Sequence, residues 1–556
     1  MRRMKVMLLS LCMTASMSGC GGKPSVPDSD TQTGTQEGKD SGADAVAGEE
    51  GGSSVPDAEQ EPAKEADQIP EICLRSNHYY ENNEDYVYLY EAQYDELILS
   101  DETKSLYPEL AAAIDSYNEE KKQAVLSDQE LMAESAKEHL ANSPDTFSTY
   151  ENTNTLFLRR ADSEVLSVLQ YNYSFEGGIH GYYGHGGTTF DVRTGERIEL
   201  DDVVKDRAAL ADYVTDRVKE WYPELEPVAG SMEETIQEYF IGQGEYDVAW
   251  VMEPYGVTFF FSPYLLGSYA DGEQQVTVPF SGNPELFTGR FHESTGSWGY
   301  RFEEYQPQHI DLDGDGTMDQ VEVRGVVDEN SYEYGDTYYR GVEILVNGNR
   351  YEGELYGYKV LPTLVRNSEG SYYVYVESPQ DNDWQGLYLF DINGEKPFKI
   401  SETNGEFICE TPESSYEEGY YSDMKSQLYN PEHFYIGTRM QVLSTYNGTR
   451  PYKVGAAGMT EPLLPWFTSV SGIVLTSKME LELDVVDGQT GEVLEAGVHI
   501  PAGTEFTICR TDNESYVDCR LSDDRLVRVP VESVEWPQTV NGTEIDDVFD
   551  GVIFAG

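Results

Sequence analysis

Basic residues are scarce in this chain: 37 Lys and Arg stand against 102 Asp and Glu in 556 residues, for a formal net charge of -65. Phosphate binding needs a basic face, so this balance excludes nucleic acid and favours cationic proteins or divalent metal as partners. Cysteine is rare as well, at six, which excludes a dense disulfide framework. Apolar runs are short. The run from Val6 to Met17 spans twelve residues, below the ~20 that a membrane-spanning helix needs. Residues 23 to 68 contain no aromatic residue at all. No Gly-x-Ser-x-Gly elbow, phosphate loop or Cys-His pairing is present, so no catalytic residue is assigned and the chain reads as a non-enzyme.

What is present begins with a basic segment, Arg2, Arg3 and Lys5, followed by the apolar run and by Met17-Ser18-Gly19-Cys20. This anatomy resembles a bacterial lipoprotein signal. The resemblance implies cleavage after Gly19, a diacylglyceryl group on Cys20, and a lipid anchor on the extracytoplasmic face of the cell membrane. Residues 1–19 are then the signal. Residues 20–70 are a lipidated, acidic linker too poor in apolar side chains to offset its chain entropy.

Past the linker, Tyr dominates the aromatics, with 41 against 20 Phe and 6 Trp in the whole chain. The remaining length exceeds one core, so several domains are expected, with boundaries near 71–284, 285–469 and 470–556. In the first, alternation from Tyr86 to Tyr94 predicts a strand, and Leu169 to Phe175 and Thr188 to Val192 predict two more. A helix opens at Tyr107-Pro108 with the stripe Leu110, Ile114 and Tyr117. A second carries Leu210, Val214, Val218 and Trp221 and ends before Pro223. Two strands surround Pro254-Tyr255-Gly256 and another holds Val276 and Val278, giving an α+β domain with helices against a mainly antiparallel sheet.

Several motifs in this region share one order: Glu176-Gly177-Gly178-Ile179-His180-Gly181, Phe190-Asp191 with Thr194-Gly195, Leu200-Asp201-Asp202-Val203, Phe261-Ser262-Pro263-Tyr264 with Gly267, and Val276 to Phe280. They resemble the extracytoplasmic module of RsiV-type anti-sigma factors, a module that also precedes the catalytic domain of PdaC-type peptidoglycan deacetylases. In the RsiV type the module is a receptor for lysozyme, a strongly basic enzyme, and the resemblance implies that partner here. Departures limit it. Only nineteen residues precede Cys20, leaving no room for a sigma-binding domain. Thr189-Phe190-Asp191-Val192 lacks the second aspartate of a deacetylase motif.

His180 and His185 flank a glycine-rich stretch and, with Asp191 as third ligand, offer a candidate zinc set. The competing reading is a tight connection or a close backbone approach that the glycines permit.

The strongest local motif lies in the middle region. Asp311, Asp313, Asp315, Thr317, Asp319 and Glu322 fit D-x-D-x-D-G-x5-E, a spacing that wraps oxygen ligands around calcium with Gly316 at the sharp turn. Met318 to Val323 alternates like a strand, so the loop is akin to the aspartate-rich turns of β-repeat proteins, in which Asp319 would be the last ligand and Glu322 would point away. Turn-punctuated runs at Val342 to Val346, Leu361 to Val365, Tyr372 to Val376 and Leu387 to Ile392 predict a β-rich, repeat-like domain.

Residues 470–556 predict a small SH3-like β-barrel. A hairpin centred on Glu514 would set Cys509 opposite Cys519, close enough to bridge if their Cα atoms come within ~7 Å. Cys73 and Cys409 have no evident partner. The expected protein is thus a membrane-anchored lipoprotein that binds an extracellular protein such as lysozyme, or peptidoglycan, without catalysis. A cell-envelope hydrolase and a structural wall-contacting spacer are the competing classes.

Overall fold

The computed structural model describes residues 68–554 except 128, 229, 242–247, 330, 332–336 and 382–383. The signal, Cys20 and the linker up to residue 67 lie outside the described residues.

A mainly antiparallel sheet organises the first region. Its strands β1 (Ile72–Asn82), β2 (Tyr88–Leu99), β3 (Tyr150–Ala161), β4 (Val165–Phe175) and β5 (Tyr182–Asp191) lie in chain order, and only β2 and β3 run parallel. A parallel neighbour needs a crossover, which α1 (Asp101–Leu106), α2 (Pro108–Leu126) and α3 (Gln129–Asn142) supply. Pro108 takes the first position of α2, where a missing N–H costs nothing, and Leu110, Ile114 and Tyr117 are buried as expected. They pack on Leu97, Leu99, Leu156, Leu158 and Phe190. The strand expected from Tyr86 starts instead at Tyr88. Tyr86 has φ +61° in a turn that the Asn83 side chain closes by accepting from the N–H groups of Asp85 and Val87, each at 2.9 Å.

The rest of this region folds α4 (Leu200–Val203), α5 (Arg207–Trp221) and α6 (Met232–Ile241) against the sheet of β6 (Ala249–Met252), β7 (Gly256–Phe261) and β8 (Gln274–Pro279). Asp206 caps α5 by accepting from the N–H groups of Ala208 and Ala209 at 3.0 and 3.1 Å, while Leu210, Val214 and Val218 bury one face. The two sheets meet where β5 passes β6. A Cβ on Gly187 would lie 1.7 Å from the Trp250 carbonyl oxygen, so only glycine permits the approach.

The middle region holds two further sheets, one of four strands (Gln308–Ile310, Asp319–Val327, Tyr339–Val346, Asn349–Gly357) and one of five (Trp298–Arg301, Leu361–Arg366, Tyr372–Pro379, Gln385–Asp391, Phe398–Asn404). Tyr300, Val323, Ile344, Val374 and Phe390 share the core between them. From Glu406–Ile408 onward most strands join one twelve-stranded network. The barrel expected over 470–556 does not close as a separate unit among the described residues, because Phe467–Ser469 bridges strands Tyr446–Val454 and Glu505–Thr511.

The expected boundaries do not isolate the sheets. Strands Ser414–Glu417 and Tyr420–Lys425 extend the first sheet to seven strands, with Tyr420–Lys425 paired to β1 from Tyr79 back to Leu74. Just before them, Cys409 forms a disulfide with Cys73, 336 residues away in sequence and with Cα atoms 6.0 Å apart. Edge pairing is satisfied by whatever strand the chain can bring to it, and periodicity carries no information about a partner so remote.

Candidate functional site

Two of the motif segments converge on one rim of the first region. The β4–β5 connection turns through Gly177 and Gly178, at φ +82° and +118°, and leaves Ile179 fully exposed (100%). The loop after β7 turns at Tyr264, which holds φ +73°. Such a backbone is uncommon for a non-glycine residue, and strain of this kind concentrates at functional sites. The His180 ring stacks on Tyr269 with centroids 3.9 Å apart. Tyr269 Oη donates to the Gly181 carbonyl at 3.0 Å, and Tyr264 Oη lies 3.4 Å from His180 Nε2. Tyr182 (64% exposed) and Tyr264 (39%) lie with ring centroids 6.5 Å apart, and Ile179 precedes His180 in the same loop, so the rim presents three large apolar or amphipathic side chains to solvent. Tyr171, Tyr173 and Tyr183 continue the aromatic surface inward along the sheet. Exposed aromatic clusters of this kind suit protein recognition, where Tyr provides contact area at low entropic cost.

Behind the rim, His185 is completely buried. Its Nδ1 lies 2.5 Å from Glu273 Oε1 and its Nε2 2.9 Å from Glu303 Oε2. Burial alone would push the imidazolium down. The two carboxylates overcome this and raise its pKa to about 10. The resulting charged triad joins β5, the lead-in to β8 and the segment after Trp298–Arg301.

The candidate zinc set does not assemble. Both nitrogens of His185 are held by carboxylates, His180 lies in the exposed rim loop, and Asp191 accepts from the Arg193 and Thr194 N–H groups while pairing with Arg290 at 2.8 Å. The close-approach reading of the glycines is the one that the Gly187 contact supports.

In the aspartate loop the carboxylates of Asp311, Asp313 and Asp315 do come together, with ligand oxygens within 4.8 Å of one another. Asp311 Oδ1 accepts from the N–H groups of Gly314 (2.7 Å) and Asp315 (3.1 Å), and its Oδ2 from Gly316 (2.9 Å). The Thr317 N–H donates to Asp315 Oδ1 at 2.7 Å. Asp319 is engaged by the Leu312 N–H at 2.9 Å and the Asn347 side chain at 2.5 Å. Glu322 is not part of the loop. It is buried in strand Asp319–Val327 and bound twice by Arg324, at 2.5 and 2.9 Å. Three residues of strand span roughly 10 Å, which carries it away from the turn.

The expected bridge between Cys509 and Cys519 does not form, and both are free. Ile508 is the residue opposite Cys519, and the register slips between Ile508 and Arg510, which leaves Cys509 at the irregularity with no partner position. The oxidised pair is Cys73 with Cys409. Sequence reasoning also missed Glu273, Glu303 and Tyr269. No local pattern marks them, since each acts across segments far apart in the chain.

Residues 201–281 match the family described as "Protein of unknown function (DUF3298)". This stretch includes α5, α6, β6 to β8 and the Tyr264 and Tyr269 side of the rim. Among solved structures the chain is similar to a DUF3298 family member from Bacteroides fragilis NCTC 9343, at 14% identity and TM-score 0.29, covering 40% of this chain and 96% of that one. It is also similar to a DUF3298 family protein from Pseudomonas aeruginosa PAO1, at 17% identity and TM-score 0.29, covering 41% and 99% respectively. No curated protein matches the chain. The chain thus carries a DUF3298 match across the α5-to-β8 part of its first region.

Proposed function

We propose that this chain is a lipid-anchored extracytoplasmic binding protein, tethered through Cys20, whose aromatic rim captures a basic extracellular protein without catalysis. Lysozyme is the partner that the RsiV-type resemblance implies. The observation that supports this is the convergence of Glu176–Gly181 with Phe261–Tyr264, which brings Tyr264 to His180 and Tyr182 in the loop that exposes Ile179. The net charge of -65 suits a cationic partner and would speed encounter over a screening length of ~8 Å at physiological salt. Binding of lysozyme by the full chain is expected to weaken at least tenfold in Tyr264→Ala and Ile179→Ser. Association should slow as salt rises while dissociation changes less. Absence of binding at low salt, or equal binding of cytochrome c, would defeat the reading.

A calcium ion at the aspartate loop is a second element of the proposal, favoured by the approach of Asp311, Asp313 and Asp315. A hard cation needs six to eight oxygens, so these carboxylates would be joined by the Thr317 carbonyl and water. Millimolar calcium is expected to raise the melting temperature of the full chain by mass action, and Asp313→Ala to abolish the rise. An unchanged melting temperature in the parent protein removes the site.

A further inference from the structure

We propose that the free edge of strand Ser414–Glu417 is a docking site for an extended polypeptide segment rich in Lys and Arg, which adds to the first sheet as a further strand. This surface is separate from the rim, and the inference does not rest on lysozyme as partner.

The backbone is the first observation. Among the described residues Ser414–Glu417 stands at the end of the sheet, pairs only with Tyr420–Lys425 and is exposed at all four residues. The Met424 N–H donates to the Glu413 carbonyl at 3.1 Å. Alternation along an antiparallel pair then turns the N–H and C=O groups of Ser414 and Tyr416 toward the open side. An open edge of this kind is a template for another strand.

The charge at the edge decides which strand. Protected edges commonly carry Lys, whereas residues 410–421 contain Glu410, Glu413, Glu417 and Glu418 and no basic residue. A second copy of this acidic chain is repelled, and a cationic segment is attracted.

Aromatic rings supply the side-chain contacts. Tyr416 is 78% exposed and directly opposite Tyr421, which is in turn opposite His78 and stacks on it at 4.2 Å. Tyr80 lies two residues from His78 on the same face, its Oη 3.5 Å from that of Tyr416. Ring faces in a row accept the stems and charged heads of Lys and Arg. Further along this face, Tyr80 is opposite Glu91, and Glu91 is beside Glu151 on the parallel strand. Burial pushes both carboxyls up, with the Glu91 charge adding to the rise at Glu151, and neither has a cationic partner among the described residues. The hairpin is held in place by its pairing to β1 and by the Cys73–Cys409 disulfide, so the edge is formed before a partner arrives.

The test titrates the full chain with a capped decapeptide of alternating Lys and Val. Ser414→Pro removes an outward N–H and leaves the bonds to Tyr420–Lys425 intact. This variant and Tyr416→Ala should each weaken binding at least tenfold, whereas Ile179→Ser should leave it unchanged. Hydrogen exchange on the unsubstituted chain decides independently of any folding defect, because saturating peptide should slow the Ser414 and Tyr416 amides. Unchanged exchange at these amides overturns the proposal. So does equal affinity for the same Lys-Val decapeptide methylated at every backbone nitrogen, which keeps the charge and cannot donate along an edge.

Discussion

His185→Gln is expected to cost roughly 3–5 kcal/mol of stability at neutral pH, the range for removing one member of a buried charge group. The substitution leaves Glu273 and Glu303 facing one another with no cation between them. Because the folded pKa of His185 is raised from 6.5 to about 10, its contribution is complete below about pH 6.5 and is lost as pH rises through 10. Denaturant midpoints of parent and variant should therefore differ most near pH 6 and approach one another above pH 10. A difference independent of pH would show that His185 acts through packing on Tyr171 and Phe260, and not through charge.

Arg159→Met carries the other large expectation. Arg159 is fully buried, with Nε 3.0 Å and a terminal nitrogen 2.5 Å from Glu253 Oε1, a second contact of 2.9 Å to Gln308, and the Tyr300 ring 4.3 Å away. Burial pushes the Glu253 carboxyl up and the guanidinium opposes it. Without Arg159 the carboxylate is stranded, at a cost of roughly 3–5 kcal/mol, and most of that loss should be recovered in Arg159→Met with Glu253→Gln. In the single variant Glu253 titrates higher in the folded state than in the unfolded chain. The deficit should then shrink below about pH 4.5 and grow as pH rises above it. Urea unfolding of the two variants across this range is the check, and failure of the double variant to recover would assign the loss to packing.

Much of the first region was legible because its signals are local. Pro108 followed by Leu110, Ile114 and Tyr117 specifies a helix and its buried stripe within ten residues. Leu210, Val214 and Val218 do the same for α5, and the run from Leu169 to Phe175 reads as the strand that it forms. The glycines around His185 correctly pointed to a close approach. The alternative role of His185 as a zinc ligand gives way to its pairing with Glu273 and Glu303, which no motif marks because both are distant in sequence. Cys509 and Cys519 failed for a related reason. Counting from a hairpin centre assumes an uninterrupted register, and one irregularity between Ile508 and Arg510 moves the pairing by a residue.

The candidate sites divide in the same way. The aspartate loop is a contiguous turn, so spacing alone brought Asp311, Asp313 and Asp315 together, and the strand-like alternation of Met318 to Val323 already pointed to a strand that carries Glu322 away. The rim motifs were visible as words, and their convergence was not.

By itself the sequence determined the acidic character, the helical stripes, the strand alternation and the aspartate turn, all properties set by residues within about ten positions of one another. The tertiary structure alone decided that Cys73 meets Cys409, that Ser414–Lys425 completes the first sheet, and that Tyr264 meets His180. Those contacts are selected by edge hydrogen bonding, burial and charge compensation between segments as far apart in sequence as Leu74 and Lys425, and such energies depend on which surfaces the folded chain brings within reach.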